Sequence, residues 1–499
     1  MPEAVLAIDQ GTTGSTALVL DRDGRVLGRA TEEFTQYYPQ PGWVEHDPEE
    51  IWRVSLEVIG TALAEASLAD GDLRAIGITN QRETTVVWDR VTGEPLHRAI
   101  VWQSRQTADI CQEIRNNGLE PMITERTGLV VDPYFSGSKV KWILDRYPDA
   151  RPRAEAGELV FGTIDTWMLY KLTGGKVHAT EPTNACRTLL YDIRALAWDP
   201  ELLEIFGVPE AMLPEVRPSS GVFGTTVPAG ALPGGVPVAG IAGDQQAALY
   251  GQGCWQPGMV KNTYGTGCFV MVNTGSELQR SCCGLLTTVC CDAQGGAAYA
   301  LEGSVFTTGA AVQWLRDEMG LIGSAVETEE IAARVVDTQG VYVVPAFAGL
   351  GAPYWDMDAR GAIVGLTRGS GREQIIRATL DSIAYQTRDV IDAMNSDSAE
   401  PVRELRADGG AAANNHLMQF QADILGVPVV RPRLLETTAA GSAFLAGLGT
   451  GMWRDPEELE GAWCEDRRFE PEMETEQRDR LYLGWRGAVE RVRADRRET

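Results

Sequence analysis

The chain has 499 residues, 44% of them hydrophobic, and a formal net charge of -26. That length exceeds one core and implies two large units or about three smaller ones. The negative field repels polyanions, which argues against nucleic acid or an anionic membrane as partner. No apolar run reaches about 18 residues, so no membrane-spanning helix is expected.

The first predicted elements are strands over 5–8 and 16–20, an Asp-Arg-Asp-Gly turn at 21–24, and a strand over 25–30. Aspartate and glycine at that turn are hairpin chemistry. The chain opens in a strand without a basic leader and apolar core, which reads as cytoplasmic. Helices are predicted over 48–69 and 104–115, the first with Pro48 behind an Asp47 cap. An apolar strand over 99–103 lies between them, and helical spacing returns over 139–147 and 163–171. Residues 227–235, rich in proline and glycine, read as a loop.

A second cycle starts near Gly258, with strands over 259–263 and 268–273 around Gly265-Thr-Gly267. It continues with helices over 308–319, 373–395 and 415–425, and strands over 340–344 and 404–407. A Gly441-Ser442 break is expected to precede terminal helices, and the Arg-rich tail at 486–497 reads as a solvated face. Two halves that each open strand, Gly/Thr turn, strand suggest a duplicated α/β fold.

Five short motifs carry chemistry. Asp9-Gln-Gly-Thr-Thr13 ends a strand, where a glycine lets backbone amides approach phosphate and an aspartate can hold Mg²⁺. Asn262-Thr-Tyr-Gly-Thr-Gly267 occupies the equivalent place in the second half. Asp408-Gly-Gly-Ala-Ala-Ala-Asn-Asn415 puts small residues between a strand and a helix, where an adenine and its ribose could lie. Gly243-Asp-Gln-Gln246 offers a carboxylate at a strand end, as a hydroxyl-activating base or a helix cap. Thr79-Asn-Gln-Arg-Glu-Thr-Thr85 sets a guanidinium beside a carboxylate, with Trp102 to follow. That combination suits a small neutral polyol, although a surface ion pair is the commoner fate of Arg-Glu. A Walker-type P-loop and the protein-kinase signatures are absent.

These blocks resemble the glycerol-specific branch of the FGGY carbohydrate kinases, in the actin-like ATPase superfamily. So do Pro41-Gly-Trp-Val-Glu-His-Asp-Pro48, Asp132-Pro-Tyr-Phe-Ser-Gly-Ser-Lys-Val-Lys-Trp142, Lys261-Asn-Thr-Tyr-Gly-Thr-Gly-Cys-Phe269 and the stretches 342–356 and 361–369. The resemblance implies two RNase H-like domains flanking a deep cleft. Residues 1–250 would mainly bind glycerol and residues 251–499 mainly nucleotide. It implies that Arg82, Glu83, Tyr134, Asp244 and Gln245 hold the hydroxyls and that Trp102 and Phe269 flank the carbon chain. Thr12, Thr13, Gly14, Thr266, Gly309, Gln313, Gly410 and Asn414 would contact ATP. Asp9 and Asp244 would hold Mg²⁺, with Asp244 as general base. A homo-oligomer, dimer or tetramer, is implied as well. The alternatives are a kinase for another small polyol or pentulose, and an actin-like or chaperone-like ATPase without a small acceptor.

Many bacterial relatives read Ser-Ser-Arg where this chain reads Gly14-Ser15-Thr16, so phosphate binding is expected to lean on Mg²⁺ and backbone. The loop at 227–235 has no basic residue or histidine, so control by a sugar bisphosphate or a phosphorylated histidine is not expected through it. Five lysines stand against thirty-nine arginines, which fits a GC-rich genome or a high-salt cytoplasm. Nine cysteines, an odd number, read as free thiols. Cys282-Cys283 and Cys290-Cys291 lack a nearby histidine and zinc spacing, so they too are expected as free thiols rather than a metal or redox site. His46 reads as a solvated or capping residue. His97, His178 and His416 receive no role.

Overall fold

In the computed structural model, which describes residues 3–69, 71–398 and 401–493, the first apolar run becomes β1 (Ala4–Gln10). It is buried except at Asp9, as expected of a central strand. It pairs antiparallel with β2 (Gly14–Asp21), which pairs antiparallel with β3 (Val26–Glu33). On its other side β1 runs parallel to β4 (Leu73–Asn80). Beyond β4 lie β5 (Ser220–Thr225) and β6 (Pro237–Gly243), giving the order β5-β6-β4-β1-β2-β3.

The second sheet repeats this wiring. β7 (Val260–Tyr264) pairs antiparallel with β8 (Cys268–Gly275), and β9 (Leu286–Cys291) and β10 (Ala297–Val305) continue that side. On the other side β7 runs parallel to β11 (Leu405–Asp408), then come β12 (Val429–Pro432) and an antiparallel edge strand, β13 (Glu465–Phe469). The order is β9-β10-β8-β7-β11-β12-β13. β7, β8, β10, β11, β12 and β13 thus stand where β1, β2, β3, β4, β6 and β5 stand in the first sheet. The duplication suggested by the two Gly/Thr turns is written in the topology.

The connecting helices include α1 (Pro48–Ala66), α2 (Ser136–Arg146), α3 (Asp244–Gly251), α4 (Gly309–Asp317), α5 (Arg372–Asp397), α6 (Asn415–Leu425), α7 (Thr437–Gly449) and α8 (Thr475–Val492). α1 starts as expected: Asp47 accepts from Glu49 and Glu50 amides, with Pro48 next. It stops at Ala66 because Ser67 turns left-handed. None of the described helices is long and apolar enough to cross a membrane.

α7 corrects one expectation. It runs straight through Gly441-Ser442, with Ser442 Oγ bonded back to Ala439 O at 2.9 Å. The glycine is there for a helix crossing: a Cβ at Gly441 would sit 1.9 Å from Ala247 O of α3, and one at Gly251 would sit 2.0 Å from Thr437 O. α7 follows the second sheet in sequence yet packs on β1, β4 and β6 of the first, while α3 follows the first sheet and packs on β7, β8 and β9. The two helices cross where the halves meet. The predicted strand over 99–103 shrinks to Ala99–Ile100 against Glu45–His46. The part of the Arg-rich tail beyond 493 lies outside the described residues.

Candidate active site

Three parallel strand ends deliver side chains to the cleft between the sheets: Asp9 from β1, Asn80 to Glu83 after β4, and Asp244 after β6. Glu83 is held in the left-handed region at φ 63. That conformation is costly for a non-glycine residue, so its surroundings must hold it. Its carbonyl accepts from Thr85 Oγ1 at 3.0 Å, Ser136 Oγ at 2.9 Å and Lys139 Nζ at 3.0 Å. Lys139 is fully buried and also donates to Tyr134 O at 2.7 Å. Burial draws its ammonium down to about 7, partly offset by Glu83. The lysine thus ties the Arg82-Glu83 turn to the segment that presents Tyr134.

Arg82 and Glu83 do not form one tight pair, as their adjacency suggested. Their closest approach is 3.9 Å, and each engages partners from elsewhere. Arg82 grips Glu302 of β10 with two nitrogens, at 2.5 and 3.1 Å, and its Nε lies 3.0 Å from Asp244 Oδ1. Glu83 pairs with Arg187 at 2.6 Å, and Arg187 reaches Glu302 at 3.2 Å. Burial alone would raise the Glu302 carboxyl, but Arg187 and Arg82 outweigh it and hold it at about 2. Burial holds Glu83 above the usual carboxylate range despite both arginines. Two guanidinia therefore serve three carboxylates, and Glu302, which both of them reach, is held well below the usual carboxylate range.

Above this cluster stand three rings. Trp102 lies 5.5 Å from Tyr134 and 6.4 Å from Phe269, centroid to centroid, and the Arg82 guanidinium lies 5.7 Å from the Phe269 ring. Phe269 comes from β8, so the aromatic wall, like the ion cluster, is assembled from both halves. Asp244 opens α3 at its first helical position. Gly243 precedes it because a Cβ there would meet Arg82 Cγ at 2.7 Å. The next residue, Gln245, accepts from Lys261 Nζ on its Oε1 at 2.6 Å, and that buried lysine also donates to Thr263 Oγ1 at 2.9 Å. Burial lowers the Lys261 ammonium to about 8, with Asp408 and Asp244 opposing.

Asp9 faces Asp244 across the cleft floor. Burial, then the charge of Asp244, pushes its carboxyl up to about 7. Among the described residues Asp9 forms no ion pair. Asp9, unpaired, and Asp244, whose Oδ1 alone meets Arg82, present carboxylate oxygens of the kind a hard oxygen-binding ion takes. Thr12 accepts Trp102 Nε1 at 2.9 Å on its hydroxyl, and Gln36 Nε2 at 3.0 Å on its carbonyl. The β1–β2 turn, with Thr12, Thr13 and Gly14, is thereby fastened to the aromatic wall.

On the second half lies a cavity of about 510 Å³. Thr266, Gly309, Gln313, Gly410 and Asn414 all line it, together with Val326 and Leu417. Gly309 lets α4 begin against the β7–β8 turn, since a Cβ there would meet Gly265 O at 2.5 Å. Asn414 caps α6 through Leu417 N at 2.9 Å. Thr12, Thr13 and Gly14 are outside this lining, on the facing half.

Arg187, Glu302 and Lys261 are the site groups that sequence reasoning gave no role. Glu302 had a signal: a lone carboxylate inside the apolar strand over 300–305. His46 was misread. It is fully buried, 2.7 Å from Gln36 Oε1 and 3.4 Å from Gln81 Nε2, and burial lowers its imidazole to about 3. It is a neutral strut behind the Gln81 turn. His97 also has partners, Glu45 at 2.9 Å and Tyr147 at 3.0 Å.

The N-terminal domain pattern of the FGGY family of carbohydrate kinases matches residues 4–251, and its C-terminal domain pattern matches residues 260–450. A protein named glycerol kinase from Caldanaerobacter subterraneus subsp. tengcongensis is 60% identical over 99% of this chain and 99% of its own. The crystal structure of Plasmodium falciparum glycerol kinase with ADP is 35% identical, with a TM-score of 0.91 over 98% of each chain. A gluconate kinase from Lactobacillus acidophilus shares the fold at 20% identity, with a TM-score of 0.88 over 99% of each chain. Two sheets of one wiring, a cleft with a carboxylate at the head of α3, and these likenesses along nearly the whole chain make the protein a member of the FGGY carbohydrate kinase family.

Proposed function

We propose that the chain transfers the γ-phosphoryl group of ATP to a primary hydroxyl of glycerol, giving sn-glycerol 3-phosphate and ADP. The observation that carries this reading is the placement of Asp244. Its carboxylate stands at the head of α3 beside Gln245 and is held by Arg82, whose guanidinium lies 5.7 Å from the Phe269 ring of the Trp102-Tyr134-Phe269 group. A three-carbon polyol between those rings would meet donors and acceptors from Arg82, Glu83, Tyr134, Asp244 and Gln245. An analogue lacking one hydroxyl would leave a buried group unpaired. Asp244 takes the hydroxyl proton as the oxygen attacks phosphorus, and the bond to the β-phosphate oxygen breaks to release ADP.

The adenosine part lies in the cavity lined by Thr266, Gly309, Gln313, Gly410 and Asn414, and the phosphates point toward Thr12, Thr13 and Gly14. Residues 1–250 thereby serve mainly the polyol and residues 251–499 mainly the nucleotide. Asp9 and Asp244 fit magnesium by their oxygen donors and the elevated carboxyl of Asp9. When bound, the ion neutralises phosphate charge at the reacting group. Closure of the halves excludes water, which would otherwise take the phosphoryl group. We further take the enzyme to be a cytoplasmic homo-oligomer, dimer or tetramer, which light scattering on the purified protein tests.

ATP turnover with and without glycerol, in the parent and in Asp244→Asn, tests the reading. The variant should lose about 10²–10⁴-fold in kcat while still binding both ligands. A variant within tenfold of the parent removes the base role. A pentulose turned over faster than glycerol transfers the assignment to another FGGY substrate.

A further inference from the structure

Outside the cleft, the connection between β8 and β9 carries Cys282 and Cys283 across the C-terminal end of α5. Cys282 Sγ lies 3.8 Å from Cys283 Sγ and 3.0 Å from Asp397 Oδ1. One ligand atom from each of the three residues lies within 4.8 Å of the others. We propose that Cys282, Cys283 and Asp397 form a site for one thiophilic divalent cation of the zinc type, with water in the fourth position.

The sulfur spacing is the strongest argument. A tetrahedral centre with two bonds of about 2.3 Å to sulfur holds those sulfurs about 3.8 Å apart. The ligands are also held by a surrounding set of bonds. Asp397 Oδ2 accepts Ser281 Oγ at 2.5 Å, and Oδ1 accepts the Cys282 amide at 3.0 Å. Ser281 Oγ in turn accepts the amides of Cys283 and Leu285, at 3.1 and 3.0 Å. Such outer bonds fix ligand orientation before a metal arrives. Asp397 is the last residue of α5, an end at which the helix dipole favours a cation. Cys282 is exposed and Cys283 half-buried, so the site is open to solvent. Burial, then Cys282 and Asp397, hold the Cys283 thiol up at about 11. Cation uptake therefore displaces the proton of the Cys283 thiol.

The other adjacent pair carries no such site. Cys290 and Cys291 lie within β9 and are buried. The loop bearing the proposed site and the start of β9 also touch the first half: Arg280 Nη1 donates to Thr124 O at 2.8 Å, and Thr287 N to Gly128 O at 3.1 Å. A bound cation would tie the end of α5 to a segment that bridges both halves.

The test uses the full chain, reduced and metal-free, under argon. Zinc is titrated in competition with a chromogenic chelator, and cadmium is followed by its thiolate charge-transfer absorption. One equivalent should bind per chain, with a band of two thiolates. Cys282→Ser/Cys283→Ser should abolish both signals, Asp397→Asn should weaken affinity at least tenfold, and Cys464→Ser, at an exposed cysteine outside the cluster, should change neither. Phosphoryl transfer by each variant reports that it has folded. Equal uptake by parent and double-serine variant overturns the proposal. So does no uptake by the reduced parent, or an affinity indifferent to Asp397→Asn.

Discussion

Glu302→Gln is the sharpest probe of how the two halves are joined. Glu302 is fully buried in the second sheet, yet its partners Arg82 and Arg187 belong to the first half. Its carboxyl falls from 4.5 to about 2 on folding. At about 1.4 kcal/mol per tenfold, that difference favours the ionised native form by about 3 kcal/mol. Removing one partner from a buried pair costs about 3–5 kcal/mol, so the two routes agree in magnitude. For a domain of this size each kcal/mol moves Tm by about 2–4 °C, so the variant should melt on the order of 10 °C lower.

The pH dependence supplies a second reading of the same variant. A carboxyl depressed in the native state contributes its stability above about 4.5 and loses it as pH falls toward about 2. Calorimetry of the parent should show that loss, and Glu302→Gln should show a shallower acid limb over the same window. The double variant Arg187→Met/Glu302→Leu should cost less than the sum of the two single changes, because no uncompensated charge remains at either position. A Glu302→Gln protein melting within about 2 °C of the parent, with an unchanged acid limb, would refute the clamp.

Three further outcomes are expected of single substitutions at Lys261, Gly441 and Thr16. Lys261 has its ammonium lowered from 10.5 to about 8, so the unfolded chain holds a proton that the native chain has lost between those values. Melting temperature should therefore carry a rising contribution across that window, absent in Lys261→Met, and the variant should bind glycerol more weakly because Gln245 Oε1 loses its donor; equal slopes and equal KM contradict this. Gly441→Ala forces a Cβ to within 1.9 Å of Ala247 O and should destabilise by about 1–3 kcal/mol or more, read by urea titration. Thr16→Arg should tighten nucleotide binding or raise turnover. Thr16 lies opposite Asp9 in the β1–β2 register and its hydroxyl meets Thr31 Oγ1 at 3.0 Å, and unchanged kinetics would mean that an added cation there does not reach the phosphates.

Local chemistry was legible where a motif and its strand end coincide in sequence. Asp9-Gln-Gly-Thr-Thr13, Gly243-Asp-Gln-Gln246 and the glycine pair before Asn414 each sit at a strand-to-turn junction, and such junctions announce themselves by glycine and threonine after an apolar run. Five of the residues assigned to nucleotide line one cavity for the same reason. Boundaries drifted by a few residues where a cap or a left-handed residue ended an element, as Ser67 does after α1. The break expected at Gly441 failed because a glycine in a helix has two readings. One is a weak point; the other is a place where a neighbouring backbone must pass, and only the position of α3 decides between them.

What stayed hidden is what requires two distant segments at once. Arg82 meets Glu302 across 220 positions, and Arg187 is 115 positions from the same carboxylate. Periodicity shows which face of β10 is buried, and a carboxylate on that face must find a cation, but the strand itself does not say which. The Arg82-Glu83 adjacency invited the wrong pairing for a physical reason. Glu83 adopts a left-handed turn, which separates the two side chains and sends each to a different partner. Cys282 and Cys283 pose the same problem with Asp397, over a hundred positions away. In the first cluster the residue types signalled chemistry and only the fold could supply the partner, whereas Cys282 and Cys283 read as free thiols in the sequence and are free in the structure. A lone carboxylate in an apolar strand is therefore the feature to pursue in related chains: its burial demands a cation, which here comes from two distant arginines.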